Sequence, residues 1–409
     1  MNAPPLDGRV RLSAVNVGRA GGDGYVARAP RHRQNASVTA SPDAASGGPV
    51  HARRARAPAS AGPASCDGRV DDPADPHAAV SYAAIDLGTN NCRLLIARPV
   101  AGGFRVVDAF SRIVRLGEGV AGSRRLSEAA MARAIEALRV CAAKVRRRPG
   151  CELRAVATAA CRQALNRDAF LARVHRETGL QLEVIDPQEE ARLALGGCAP
   201  LLDPQVPNGL IFDIGGGSTE LCWLTMRAAG NGDGPGGPDL VAWHSMPVGV
   251  ANLAERFAGA PDTPETFEAM VAETAEALRT FAGDRAVARA FADRPVQMVG
   301  ASGTVTTLAG VAKELPRYDR RQVDGCVLPA ETVRATSRRI VEMSPAARLD
   351  HPCIGPQRAD LVIAGCAILE AICRAWPVDR LTVADRGLRE GILYHLMQAR
   401  GEPVAAPPL

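Results

Sequence analysis

Lysine is almost missing from this sequence of 409 residues, in which only Lys144 and Lys313 occur. A side chain that binds an anion is therefore expected to be arginine, whose guanidinium can hold two phosphate oxygens at once. Aromatic residues make up only 4%, so the core must consist mainly of Ala, Val, Leu and Ile. No apolar run reaches the roughly 20 residues that a membrane-spanning helix needs, and we predict no membrane partner.

Several familiar site motifs are also missing. The sequence has no CxxC pair, no HExxH and no GxxxxGK[ST]. These absences argue against a zinc site, a metal held by histidines and a P-loop. The 11 cysteines are scattered, many of them in apolar runs. We expect buried, reduced thiols in a cytoplasmic protein.

The basic charge is concentrated at one end of the chain. The formal net charge is +5, but the first 70 residues alone carry ten arginines and four aspartates, which is +6. The remainder is close to neutral, so we predict no nucleic-acid partner. Residues 1–77 are rich in Ala, Pro, Gly and Arg without a period, which is typical of disorder. A translation start further downstream is the alternative interpretation.

From residue 78 onward, predicted strands and helices alternate, which indicates an α/β protein. Helices are predicted from Ser127 to Arg148, from Asn166 to Gly179 and from Thr263 to about Ala282, with three more at about 329–343, 356–375 and 386–399. Two stretches repeat one pattern, "AAIDLGTNNCRLLIA" at 83–97 and "FDIGGGSTEL" at 212–221. Each is an apolar strand that ends at an aspartate, followed by a glycine turn and a second strand. We interpret this as an internal repeat of architecture.

The two aspartates and the glycines beside them suggest complementary tasks. Glycine lets backbone N–H groups approach a ligand closely, and successive N–H groups form a cradle for an anion. A carboxylate would be repelled by phosphate and would hold a divalent cation instead. The predicted metal ligands are Asp86 and Asp213. The predicted phosphate-binding residues of the two turns are Gly88, Thr89, Asn90, Asn91, Gly215, Gly216, Gly217 and Ser218.

A third glycine turn, "GASGT" at 300–304, adds Gly303 and Thr304 to the predicted phosphate-binding residues. The alternative for any one of these motifs is a tight hairpin whose aspartate only satisfies the backbone of the turn. Three such turns in one chain favour the binding interpretation.

Five segments carry a family resemblance: "IDLGTNNCRLLIA", "ATAACRQALNRDAFLARVHRETGLQLEVIDPQEEARLALGG", "FDIGGGSTEL", "GASGTVTTLAG" and "VADRGLREGIL". The three glycine turns resemble the phosphate loops of the actin, sugar-kinase and chaperone-ATPase superfamily. All five, in order over about residues 80–398, are similar to the exopolyphosphatase/guanosine pentaphosphate phosphatase family, in its short form without the C-terminal helical domain.

The resemblance implies a duplicated actin-like (ribonuclease H-like) α/β fold of two domains, with the active site in the cleft between them. After the tail of residues 1–77, domain I is predicted to comprise 78–204 and 386–400, and domain II to comprise 205–385. The family's catalytic glutamate matches Glu190 in the "EEAR" motif, with Glu189 as the neighbour that could be confused with it. A solvated acid in the first turn of a helix is the alternative role for Glu190.

Three further site residues follow from the resemblance and from positions beside strand ends. Arg93 is a predicted catalytic residue and Arg162 a predicted phosphate-binding residue, although either could form only a surface ion pair. Glu220 is predicted to face the site and to hold the metal or the attacking water, and a solvent-facing strand residue is its alternative role.

The implied reaction is release of a terminal phosphate from inorganic polyphosphate, guanosine pentaphosphate or both, by in-line attack of water. Mg²⁺ or another divalent cation is the expected cofactor, and a homodimer is compatible with the family. Two alternatives stay open. An ATP-dependent small-molecule kinase would need a substrate-binding insertion, and a nucleotide-gated actin-like scaffold would need long assembly insertions.

Overall fold

Two mixed β-sheets dominate the computed structural model, which describes residues 80–227, 238–293 and 295–404. The five strands of the first sheet are β1 (Tyr82–Leu87), β2 (Asn91–Val100), β3 (Gly103–Ile113), β4 (Glu152–Ala157) and β5 (Glu183–Val184). Their order is β3-β2-β1-β4-β5. β1, β2 and β3 form an antiparallel meander, and β4 and β5 continue the sheet in parallel.

The second sheet repeats this plan. Its strands are β6 (Asn208–Ile214), β7 (Thr219–Met226), β8 (Pro238–Met246), β9 (Val296–Ala301), β10 (Val327–Pro329) and β11 (Arg380–Ala384). The order is β10-β11-β9-β6-β7-β8. Again a meander of three strands is followed by two parallel strands, and β10 adds an antiparallel edge. The internal repeat predicted from the two aspartate–glycine turns is therefore a repeat of sheet topology.

The central strands β1 and β6 have almost entirely apolar sequences, YAAIDL and NGLIFDI. Such runs are typical of strands that are covered on both faces. Each strand contains one acid close to its carboxyl end, Asp86 in β1 and Asp213 in β6. The repeat thus places the two aspartates at equivalent positions of the two sheets.

Helices follow the strands and cover the sheets. Those before β6 are α1 (Val120–Ser123), α2 (Glu128–Arg146), α3 (Ala159–Gln163), α4 (Arg167–Thr178) and α5 (Pro187–Cys198), with a 3-10 helix at Ala199–Leu201. Those after β8 are α6 (Val250–Arg256), α7 (Pro264–Ala282), α8 (Arg285–Asp293), α9 (Gly303–Ala312), α10 (Arg320–Val323), α11 (Ala330–Glu342), α12 (Pro345–Asp350), α13 (Val362–Ala375) and α14 (Leu388–Ala399).

Helix α5 packs against both sheets. Its Leu193 belongs to a buried cluster with Tyr82 and Leu95 of the first sheet and with Ile392 of α14. Its Leu195 belongs to another cluster, with β6, β7 and β9 of the second sheet. The first turn of α5 is therefore held in a fixed place relative to both meanders.

The predicted long helices are present with ends close to those expected. Ser127 caps α2 and accepts a hydrogen bond from the N–H of Ala130, and Thr263 caps α7 in the same way. The helix predicted to start at 356 begins only at Val362, because residues before it form turns. The short helices α6 and α12 were not predicted, since six or seven residues are too few for a helical period to stand out.

The cysteines of the described residues are free, and most of them are buried, as the sequence predicted. The tail of residues 1–77 lies outside the described residues, and so does most of the Gly-rich tip at 227–239. The described residues fall in a single unit from Pro73 onward, and the predicted domain boundaries stay a prediction. Within the described ranges, no helix combines the length and the apolar character required to cross a membrane.

Candidate active site

A cleft with an empty volume of about 990 Å³ opens between the carboxyl ends of β1 and β6. The predicted site residues that line it are Asp86, Gly88, Thr89, Asn90, Asn91, Arg93, Glu190, Asp213, Gly215, Gly216, Gly217, Ser218, Glu220, Gly303 and Thr304. Only Arg162 of the predicted set is not part of the lining. Residues distant in the sequence are thus brought to one place.

Backbone N–H groups occupy carbonyl groups of the first glycine turn. The N–H of Gly88 closes the turn on the carbonyl of Asn91 at 2.9 Å. The Asn90 carbonyl accepts hydrogen bonds from the N–H groups of Val114, at 2.8 Å, and Arg115, at 3.0 Å. In a trans peptide the N–H points opposite to the carbonyl, so the peptide between Asn90 and Asn91 presents its N–H on the other side.

The second glycine turn is held from behind by the start of α6. The carbonyl of Gly215 accepts from the N–H of Val250 at 2.9 Å, and that of Gly216 accepts from Ala251 at 2.8 Å. The same trans-peptide geometry turns the N–H groups of Gly216 and Gly217 away from α6. Neither N–H has a hydrogen-bond partner among the described residues, so both are free to bind an anion.

The two turns are in direct contact, and this contact explains why the second turn contains glycines. A Cβ atom on Gly216 would lie 3.1 Å from the backbone nitrogen of Asn90. A Cβ on Gly217 would lie 2.7 Å from the Oγ1 of Thr89. Any side chain at these positions would therefore force the turns apart and occupy the space between them.

Glu190 lies in the first turn of α5, which is capped by Asp186. Arg162 donates a hydrogen bond from Nη1 to Oε2 of Glu190 at 2.6 Å and another to the Ile185 carbonyl at 3.0 Å. Arg162 therefore orients Glu190 instead of lining the cleft itself. Burial raises the pKa of Glu190, the Glu220 carboxylate adds to the rise, and Arg162 opposes it.

Glu220 is 4% exposed and stands beside Asp213 in the pairing of β6 with β7. Its Oε1 accepts hydrogen bonds from the hydroxyls of Ser218, at 2.7 Å, and Ser245, at 3.0 Å. Burial and the neighbouring Asp213 raise the pKa of Glu220, and the two hydroxyls oppose the rise. Both hydroxyl bonds occupy one oxygen, which leaves Oε2 for other partners.

The pKa values of the two aspartates are raised as well. Burial raises the pKa of Asp213 to about 7, although Arg93 opposes the rise. The carboxylates of Glu190 and Asp86 add to it. Burial likewise raises the pKa of Asp86 against the effect of Arg93 and Arg389. Four carboxylates at the wall of one cleft favour the binding of positive charge.

The third turn begins α9. Ser302 caps this helix by accepting from the N–H of Val305 at 3.0 Å. Thr304 is 8% exposed and packs tightly against Gly365 of α13, so its side chain also has a structural role. The Arg358 guanidinium donates to the Thr307 hydroxyl at 2.5 Å and to the Gly303 carbonyl at 3.3 Å.

Sequence reasoning missed Ser245, Arg358 and Arg389. Arg358 lines the cleft from the loop before α13, and Ser245 reaches Glu220 from the third strand of the meander. Neither residue follows an Asp or a glycine turn, so no local pattern marks it. The scarcity of lysine was the one general signal, because it directs attention to arginines.

Comparisons with known proteins agree with this geometry. The model of the Ppx/GppA phosphatase family matches residues 95–400. The crystal structure of the Aquifex aeolicus member of that family is 29% identical, with 78% of this chain and 98% of that chain covered and a TM-score of 0.64. An exopolyphosphatase-like protein is 32% identical, with 78% and 98% covered and a TM-score of 0.67.

An exopolyphosphatase from Cytophaga hutchinsonii, at 24% identity, covers 78% of this chain and 98% of its own, with a TM-score of 0.69. At this identity the match shows the fold alone. Together with the repeated sheet order, the solved structures confirm the predicted α/β, duplicated actin-like fold.

Proposed function

Because the chain belongs to the Ppx/GppA phosphatase family, we propose that it releases the terminal phosphate of inorganic polyphosphate, guanosine pentaphosphate or both. One observation carries this proposal. Two glycine turns in contact with each other direct backbone N–H groups away from their supporting segments, and a buried glutamate lines the same cleft. Such an arrangement suits a phosphoryl group that is attacked by water.

Substrate binding would depend on the two turns and on arginine. The N–H groups of Gly216 and Gly217 are without partners in the described residues and can donate to phosphate oxygens. Arg93 lines the cleft, and its guanidinium forms no ion pair or hydrogen bond with any described residue. Arg358 lines the same cleft and is bonded only to neutral oxygens. Both guanidiniums are available to neutralise a chain of phosphoryl groups.

Water activation is the role that the site offers Glu190. Its carboxylate is fixed by Arg162, and its raised pKa makes it a better proton acceptor once it is ionised. Glu220 is held by two hydroxyls with one oxygen left over. We propose that this oxygen orients the water or a bound cation.

The residues present fit a divalent cation only if the substrate completes its coordination. No group of three or more His, Cys, Asp or Glu in the described ranges could close around a metal. Mg²⁺ in phosphate sites typically takes one or two carboxylates and completes its shell with phosphate and water. Asp86 and Asp213 would supply those carboxylates. A bound cation would neutralise charge on the transferred phosphoryl group.

The test is phosphate release from polyphosphate and from guanosine pentaphosphate, with and without Mg²⁺ and without any acceptor. Glu190→Gln should lower kcat by roughly a hundredfold to ten-thousandfold, the usual range for loss of a general base, with substrate binding retained. Glu189→Gln is the matched control, because its carboxylate pairs with Arg154 and does not line the cleft.

Full activity of Glu190→Gln would contradict the assignment of the base. Phosphate transfer that requires an added acceptor would favour the kinase alternative.

A further inference from the structure

A second, smaller chamber adjoins the cleft, with an empty volume of about 470 Å³. Asp86 and Asp213 border both spaces, and so do Arg93 and Arg358. The start of α14 closes the chamber, where Gly387 lies against the carboxylate of Asp213. The segment "DRGLRE", which the sequence left without a role, thus forms the far wall of this rear chamber.

Arginines of this wall fall into two groups. Arg386 forms an ion pair with Asp324, and Arg320 behind the wall pairs with Glu390 at 2.9 Å. The guanidinium of Arg389, in contrast, forms no hydrogen bond and no ion pair with any described residue. The same holds for the Arg93 guanidinium, and the Arg358 guanidinium donates hydrogen bonds only to a hydroxyl and a carbonyl and lies 6.0 Å from the centre of the Tyr318 ring.

Three guanidiniums in one enclosed space repel one another. Burial lowers the pKa of Arg389, and Arg93 adds to that effect, whereas the carboxylates of Glu390, Asp86 and Asp385 oppose it. Burial and Arg93 likewise lower the pKa of Arg358. An uncompensated buried charge is costly in free energy.

Four carboxylates line the chamber. Asp86 and Asp213 have raised pKa values, and Asp385 and Glu390 are already bonded to Tyr318 and Arg320, so the compensation is only partial. An anion in the chamber would relieve this repulsion.

We propose that Arg389, together with Arg93 and Arg358, binds a phosphate-sized oxyanion in the rear chamber, separate from the phosphoryl group held between the glycine turns. The identity of the ligand as phosphate rests on the proposed function. Two sources share this chemistry, the orthophosphate that the reaction releases and the next phosphoryl group of an uncleaved chain.

Binding without turnover tests the proposal. Orthophosphate and tripolyphosphate would be titrated calorimetrically into the Glu190→Gln protein, alone and combined with Arg389→Gln. Arg389→Gln should weaken at least one of the two ligands by about tenfold or more, which is typical for loss of a hydrogen bond to a charged group. Arg400→Gln is the control, because it removes a charge from the end of the same helix at an exposed pair with Glu152.

The pattern of loss identifies the occupant. Weakening of both ligands indicates that the chamber accepts released phosphate, and weakening of tripolyphosphate alone indicates the next group of the chain. Unchanged affinity for both would overturn the proposal. Arg389→Lys, which keeps the charge and loses the fork, should show an intermediate loss and gives an answer if Arg389→Gln fails to fold. Because no turnover is needed, a wild type that binds phosphate through Arg389 but releases none would refute the proposed function alone.

Discussion

Protonation of Asp213 links the site to the stability of the whole protein. Burial moves the pKa of this side chain from 3.8 to about 7. Between these two values the folded state keeps a proton that the unfolded chain has lost. Stability therefore falls as the pH rises through this window, because the folded state binds more protons. Asp213→Asn removes the charge that causes the loss.

The size of the effect follows from the shift. Each pKa unit corresponds to about 1.4 kcal/mol. In a dry interior the whole shift would therefore lower the free energy of unfolding by about 4 kcal/mol. The cleft admits water, which screens the charge and reduces this loss. We expect about half of it, so Asp213→Asn should raise the free energy of unfolding by about 2 kcal/mol at pH 8. At pH 5 only about a third of the window has been crossed, so the gain in stability should shrink to below about 1 kcal/mol.

Urea unfolding at pH 5 and pH 8, without divalent cations, measures both values from the transition midpoints. Asp168→Asn is the control, because its side chain is 91% exposed and bears an ordinary surface charge. Equal effects of Asp213→Asn at the two pH values, or a loss of stability at pH 8, would refute the reasoning. Added Mg²⁺ should stabilise the wild type more than Asp213→Asn, which tests the same carboxylate as a cation ligand.

Two further predictions concern the support of the site. Gly249→Ala should cost about 1–3 kcal/mol of stability, as overpacking does, and most of the activity, because its Cβ would lie 2.6 Å from the backbone of the second turn. Thermal unfolding would show this, and Gly122→Ala, in open space, should be neutral. Ser245→Ala should lower kcat about tenfold, as loss of a hydrogen bond to a charged group does, with unchanged circular dichroism. A kcat equal to wild type would show that Ser218 alone orients Glu220.

The fold and the turns could be predicted because their signals are local. An apolar strand, an aspartate and glycines are contiguous in the sequence, and their repetition at 83–97 and 212–221 indicated the duplication. The helix caps Ser127 and Thr263 were equally local. Glu190 has no such signal, since an acid in the first turn of a helix is common, and only the family resemblance singled it out.

Other parts of the site depend on contacts over long distances in the sequence. Gly249 supports a turn more than 30 residues before it, and Arg358 reaches a cleft that starts with Asp86. The prediction for Arg162 shows the same limit. Its position past a strand end suggested a phosphate ligand, which stays a prediction, and the structure shows a contact that the sequence did not indicate, a hydrogen bond to Glu190. A strand end places a residue near the cleft, but neighbouring charges decide where its side chain points.

The duplication also explains why the two halves of the site differ in chemistry. In the first hairpin Asp86 is paired across the strands with Arg93, and in the second Asp213 is paired with Glu220. Paired side chains lie on the same face of a sheet. One half therefore offers a guanidinium beside its aspartate, and the other offers a second carboxylate that lies close to Glu190. A symmetric pair of hairpins would bind a phosphate chain equally well in either direction. The exchange of arginine for glutamate places the positive side chain on one side and the acids on the other, so under the proposed function we expect a bound chain of phosphoryl groups to favour one direction.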